Sequence, residues 1–196
     1  MEKNLEKQKR TRQKLMNALI ELCDKKGYYN ISVEDICKYA GTYRSTFYRY
    51  YENKDDLLRE IEKTYIQDTR NLTPSLLAYQ AGDFEDMQDK HLQEFIEDMK
   101  YHYAHKQLFK FLLSPTGDPY FYRKMQESLT QIYENNLKRN GISLGKDHTY
   151  IINYFVTGYL STIHEWLKND DRSPEEIAVF LLKMMHSFFM YFQSSL

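Results

Sequence analysis

The residues whose types and spacing suit chemistry lie in one short stretch. From 32 to 54 the chain reads SVEDICKYAGTYRSTFYRYYENK. Arg44, Ser45, Thr46, Tyr48, Arg49 and Tyr50 surround a single apolar residue, Phe47, shortly after Gly41. These side chains offer charge and hydrogen bonds but no nucleophile with its base. That is the chemistry of nucleic-acid recognition, in which guanidinium and hydroxyl groups meet base edges and phosphate oxygens. Arg49 can reach a guanine bidentately or hold a phosphate. Phe47 and Tyr51, four apart, form the expected buried pair and leave Tyr48 outward. Ser32 and Val33 open the preceding helix, where backbone N–H groups and the helix dipole favour a phosphate.

Other constellations fall short. His164-Glu165 begins an H-E-x-x-H pattern, but Lys168 stands where the second histidine belongs. His102 and His105 are three apart, and two ligands alone make a poor metal site. No G-x-S-x-G, P-loop or G-x-G-x-x-G occurs, so no enzyme, cofactor or metal is expected. Cys23 and Cys37 fall in apolar stripes without ligand-like clustering and read as reduced core residues.

Charge is unevenly placed. Residues 1–54 carry 12 Lys+Arg against 7 Asp+Glu, a balance of +5, whereas residues 55–196 carry 15 against 21, a balance of −6. A basic head on an acidic body suits a protein that meets nucleic acid at one end. The N-terminus is charged with no apolar run behind it, and no stretch approaches the ~18 apolar residues of a membrane span. The expectation is a cytoplasmic protein with no membrane contact.

The elements that position these residues follow from helical spacing. Glycine (7) and proline (4) are scarce and no alternating segment stands out, which predicts an all-α fold. Leu15, Ala18, Leu19 and Leu22 mark one face of a helix over 7–26, ended by Gly27. Ser32 and Asp35 form a capping pattern for a second helix, and Gly41 allows the turn after it. A third helix is predicted over 44–51, and a fourth, capped by Asn53, begins at Lys54 with Leu57, Leu58 and Ile61 inward. A loop over 75–82, with Asp83 as the next cap, leads to helices ending near 104 and spanning 107–113. A long helix then runs from Asp118-Pro119 to about 140, and a loop covers 141–145. The last two helices span 147–169 and 174–193, the second opened by Ser173-Pro174-Glu175-Glu176. The reading is about nine helices: a three-helix helix-turn-helix domain over 1–54, joined to a helical bundle over 55–196.

Residues 40–54, AGTYRSTFYRYYENK, resemble the A-G-V-S-x-x-T-x-Y-x-[HY]-F-x-x-K pattern of the TetR family of regulators. The likeness runs from about Arg10 to Leu58. Thr42 and Tyr43 depart from the usual Val-Ser, and Tyr51 from the more frequent Phe. The resemblance implies that Arg44, Ser45 and Thr46 stand at the front of a recognition helix. It implies that Tyr48 and Tyr50 touch the DNA backbone, and that Lys54 points its ammonium at a phosphate. A second likeness covers 158–177, GYLSTIHEWLKNDDRSPEEI, which is similar to the C-terminal domain of dihydroxyacetone-kinase-type regulators of this family.

For the body, the resemblance implies that the last two helices pair with those of a second copy as a four-helix bundle. Ile177, Leu181, Met184 and Phe188 are the expected interface, because the apolar face of that helix is too wide for one intrachain contact. A ligand pocket is expected between the long helices, lined by Tyr101, Phe121, Met125, Tyr154 and Trp166. Tyrosine hydroxyls and a −6 balance favour a neutral or cationic, partly aromatic small molecule. The expected protein is a homodimer on double-stranded operator DNA, a repressor released by such an effector. The alternative is a regulator whose body binds a protein co-regulator.

Overall fold

The computed structural model describes the backbone of residues 2–72, 84–114, 117–139, 141 and 143–193. Within these it describes the side chains of all but 2–4, 84–91, 186 and 188–193. The described residues form α1 (Glu2–Lys26), α2 (Val33–Ala40), α3 (Arg44–Phe47), α4 (Lys54–Leu72), α5 (Phe84–Ala104), α6 (Lys106–Leu112), α7 (Phe121–Arg139), α8 (His148–Asn169) and α9 (Pro174–Gln193). Single 3-10 turns at Tyr28–Asn30 and Gly145–Asp147 precede α2 and α8. The loop expected over 75–82 and the Asp83 cap lie outside the described residues. No helix among the described residues is long and apolar enough to cross a membrane.

The chain divides into two compact units. The first holds Met1–Tyr65 and Gln107–Phe121. Its core is Leu15 and Leu19 of α1, Ile36 of α2, Phe47 of α3, Leu57, Ile61 and Tyr65 of α4, and Phe109 and Phe121, none more than 1% exposed. Tyr65 packs its ring 5.8 Å from Phe109 and 6.1 Å from Phe121. The unit therefore runs past the boundary expected at 54. Physically, the apolar stripe of α4 closes the three-helix head, and each such buried side chain contributes about 1.5–3 kcal/mol. Cys23 and Cys37 belong to the same interior, 5% and 3% exposed. Burial pushes the Cys23 thiol up to about 12.

The second unit holds Ile66–Lys106 and Tyr122–Leu196. Here α5 packs against α9 and α8. The segment carrying the C-terminal likeness forms the corner between α8 and α9. The Trp166 indole N–H donates to the Arg172 carbonyl at 2.9 Å. Ser173 and Glu176 cap α9 reciprocally, Glu176 N–H to Ser173 Oγ at 3.2 Å and Ser173 N–H to Glu176 Oε2 at 2.8 Å. The Ser-Pro-Glu-Glu start signal thus places α9 as its spacing predicts.

Candidate nucleic-acid interface

The head is built from the α2 cap upward. Asp35 N–H donates to Ser32 Oγ at 3.1 Å, while the Ser32 N–H and hydroxyl donate to Asp35 Oδ2 at 2.8 and 2.7 Å. Bonds from the Ser32 backbone and hydroxyl, with Lys26 at 2.9 Å, hold the Asp35 carboxyl well below the usual carboxylate range. The Ser32 N–H, half of the anion site expected at Ser32 and Val33, is therefore spent on Asp35. Gly41 ends α2 with φ 62° and ψ 43°, the left-handed region open to glycine without a Cβ penalty.

Phe47 anchors α3 at 0% exposure, and Tyr51, 3% exposed, packs on it with ring centroids 5.5 Å apart. Tyr48 turns outward, 51% exposed. The predicted pairing of Phe47 with Tyr51 is what the chain adopts. The helix expected over 44–51 stops at Phe47. The Tyr50 N–H reaches back only three residues, to Phe47 O at 2.9 Å, as the chain tightens towards the α4 cap. There the Asp56 N–H donates to Asn53 Oδ1 at 2.9 Å.

On the outer face, Arg44, Ser45 and Arg49 are exposed, and Thr46 and Tyr50 are half-buried. Arg44 Nη1 lies 3.6 Å from Glu34, and Nη2 donates to the Tyr48 hydroxyl at 3.5 Å. The Tyr48 hydroxyl and the Glu34 charge hold that guanidinium firmly protonated. α3 thus presents one guanidinium between an acid and a phenol, with Ser45 and Arg49 beside it. Further back, residues 5–14 of α1 are exposed or half-buried, and Lys7, Lys9 and Arg10 add positive charge.

Lys54 is turned inward. Its ammonium donates to the carbonyls of Tyr28 and Ile31, both at 2.9 Å, and lies 4.5 Å from the Tyr28 ring centroid. The Tyr29 carbonyl is 3.5 Å away. An ammonium has three donors, and these carbonyls engage them. The expectation that Lys54 points at a phosphate is corrected: it ties the 28–31 turn to the start of α4. The Tyr28 hydroxyl closes the same junction by donating to Asp55. Tyr43, to which the sequence reading assigns no role, is the N-cap of α3 and 81% exposed. The available signal was a tyrosine where the resembled pattern has serine.

Of the five residues expected to line a pocket in the body, Tyr154 borders the groove described below, and the other four each pack in their own surroundings. Phe121 sits in the first unit's core beside Tyr65 and Phe109. Tyr154 is 71% exposed. Met125 and Trp166 are buried, Trp166 stacked on Tyr103, and Tyr101 is bonded to Asp68 at 2.9 Å and stacked on His105. Helical spacing marks an aromatic stripe but not which neighbour covers it. The interior of the second unit instead holds polar groups. Tyr159 donates its hydroxyl to the buried Asp98, and His102 Nε2 lies 3.5 Å from Asp98 Oδ1. Burial pushes the Asp98 carboxyl up to about 7 and the His102 imidazole down to about 3. The buried Tyr133 hydroxyl has no hydrogen-bond partner among the described residues. No group of three or more His, Cys, Asp and Glu is placed to hold a metal among the described residues.

α9 carries two stripes, not one. Ile177, Ala178, Leu181, Leu182 and Met185 are at most 6% exposed within the unit, on the helix that packs against α5. Ile177 and Leu181, expected at an interface, are nearly covered within the unit, although Leu181 also lines the groove described next. Phe180 and Met184 lie outward, 39% and 56% exposed. They border a groove of about 700 Å³ shared with Tyr150 and Tyr154 of α8. The Phe188 side chain lies outside the described residues.

Comparison with known proteins gives a consistent picture. Residues 15–61 match the family described as bacterial regulatory proteins, tetR family. Residues 89–187 match the family described as transcriptional regulator C-terminal region, of the TetR group. The chain is 25% identical over 130 residues to the HTH-type transcriptional regulator YdgC of Bacillus subtilis, covering 65% of this chain and 64% of that one, just under two thirds of the relative's length. Among solved structures, a putative TetR-family regulator from Syntrophomonas wolfei superposes with a TM-score of 0.67 at 18% identity, over 91% of this chain and 94% of that one. The dihydroxyacetone kinase operon activator DhaS gives 0.67 at 16% identity, over 90% and 94%. The FadR regulator of Bacillus subtilis, solved in complex with stearoyl-CoA, gives 0.58 at 18% identity, over 88% and 96%. The structural likenesses establish the fold.

Proposed function

Because the chain belongs to the TetR family of helix-turn-helix transcriptional regulators, we propose that it acts as a homodimeric repressor released from operator DNA by a small molecule. The observation that carries the DNA-binding half is the α2–turn–α3 head. Buried Phe47 fixes a short helix whose exposed side bears Arg44, Ser45 and Arg49, within a segment of +5 balance. Arg44, Ser45 and Thr46 read base edges, and Tyr48, Arg49 and Tyr50 hold the backbone. Phosphate contacts of this kind release counterions and make binding steeply salt-dependent.

Dimerisation is supported by the outward stripe of Phe180 and Met184 with Tyr150 and Tyr154. A groove of about 700 Å³ with an apolar rim suits a second copy of itself. Two copies present two heads to two half-sites, as an inverted repeat requires.

The effector site moves from the four aromatic residues and Met125 to the buried polar cluster of Asp98, His102, Tyr159 and Tyr133. A carboxyl and phenols suit a neutral or cationic hydrogen-bonding molecule. An acyl-CoA such as the ligand of the FadR structure carries several negative charges, against a −6 balance here. An inducer must bind the DNA-incompetent state more tightly than the competent one. The test is selection of duplexes from a random library by the full-length protein, followed by sedimentation of the complex. Enrichment of an inverted repeat bound by two chains supports the reading, and absence of enrichment rejects it.

A further inference from the structure

We propose that Tyr43 is a base-reading residue: its ring meets the C5-methyl group of a thymine in the major groove and so sets part of the operator preference. The proposal rests on the operator-binding reading above. Tyr43 occupies the N-cap of α3 with φ −96° and ψ 151°. That position favours Ser, Thr, Asp or Asn, whose side-chain oxygen takes up a free N–H of the first turn. Tyr43 makes no side-chain capping bond. Only its carbonyl engages, accepting from the Thr46 and Phe47 N–H groups at 2.9 and 3.1 Å. The ring is not used for packing either: at 81% it is the most exposed of the described large hydrophobic side chains. Both intramolecular uses of this residue, cap and core, are absent.

Its neighbours say what it meets. Arg44 follows it directly, and the first 54 residues carry a balance of +5, so the partner on this face is a polyanion. A polyanion alone calls for charge or a hydroxyl, not for a bare aromatic face. On duplex DNA the apolar group displayed by a base edge in the major groove is the thymine methyl. Tyr48, 51% exposed, leans its hydroxyl on Arg44, so the two phenols flanking Arg44 differ: one steadies the guanidinium, the other is uncommitted. Where the resembled pattern places serine, a side chain that caps, this chain places one that reads.

The test uses full-length protein and a random duplex library, with wild type, Tyr43→Ser and Tyr43→Phe. Serine restores a favoured cap, so Tyr43→Ser folds with an unchanged or higher Tm, and lost discrimination is not lost structure. Wild type and Tyr43→Phe should enrich a thymine that Tyr43→Ser no longer selects, with discrimination at that position falling about fivefold or more. Replacing that thymidine by deoxyuridine, which lacks only the methyl, should weaken wild type and leave Tyr43→Ser unaffected. The proposal is overturned if Tyr43→Ser selects the same bases with the same strength. It is also overturned if serine and phenylalanine both weaken every sequence equally, which would assign the hydroxyl to a phosphate. A wild type that enriches no sequence rejects the operator-binding reading as well, and so is distinguishable from failure at Tyr43 alone.

Discussion

Asp98 and His102 stand one helical turn apart on α5, each 1% exposed, with Nε2 of the imidazole 3.5 Å from Oδ1 of the carboxyl. Burial without a strong bond between them drives both towards neutrality, which is opposite in proton terms: the acid keeps a proton and the base gives one up.

The two effects cancel in stability over one pH window. Unfolded, the groups titrate near 3.8 and 6.5; folded, burial moves them to about 7 and about 3. Between about pH 4 and 6.5 each state of the pair holds one proton, on Asp98 when folded and on His102 when unfolded, so the pair contributes almost no slope. Asp98→Asn leaves the depressed imidazole alone, and stability should then fall as pH drops below about 6.5. His102→Asn leaves the raised carboxyl alone, and stability should fall as pH rises from about 4 towards 7. Urea unfolding of the three proteins across this range checks the signs. Parallel slopes for the two variants would refute the assignment.

Lys54→Ala should act on folding before it acts on DNA. It strips donors from the Tyr28 and Ile31 carbonyls, at a cost of about 1–3 kcal/mol. The salt slope of operator binding should change by clearly less than the ~0.9 expected for one lost phosphate contact. Thermal unfolding and binding at several salt concentrations separate the two effects.

Glu34→Gln and Arg44→Ala should diverge. The Glu34–Arg44 pair is exposed at 3.6 Å and screened by solvent, so losing it should leave stability nearly unchanged. Glu34→Gln removes a negative charge facing DNA and frees the guanidinium, so affinity should rise for all sequences. Arg44→Ala should change which bases are preferred. Anisotropy titrations against an operator and a scrambled duplex measure both.

Charges placed on α9 should sort by stripe. Met184→Asp, on a side chain 56% exposed, should give a folded monomer with weak operator binding. Leu181→Asp, on a side chain 4% exposed, should unfold the body because it buries a charge without a partner. Circular dichroism with sedimentation distinguishes them. A Met184→Asp protein that still sediments as a dimer would count against the α8–α9 groove as the interface.

Much of the head is legible in sequence because its signals are local. The Ser32–Asp35 cap, the Gly41 turn and the Phe47–Tyr51 pair each depend on residues within four positions of one another, where backbone geometry decides the outcome. Lys54 was misread because its partners lie more than twenty residues away, at carbonyls that no side-chain pattern advertises. The surroundings of Tyr154 and Leu181 are not legible for a similar reason: one is 71% and the other 4% exposed, yet both line the same groove. Spacing assigns each to an apolar stripe, but only packing against α5 and α8 says which stripe is covered. Nothing in the sequence singles out Asp98, and His102 reads there only as half of a poor metal pair, since a charge letter carries no sign of its burial.

The sealed thiols of Cys23 and Cys37 make the head chemically silent. A thiolate is the reactive form, and Cys23 needs a pH near 12 to yield one. Maleimides and mild oxidants should therefore pass over the native cysteines, while the thiol of a Tyr29→Cys variant, at a side chain 71% exposed, reacts at once. One dye per chain, placed on the head but away from the proposed reading face, would then report operator engagement with Cys23 and Cys37 left in place.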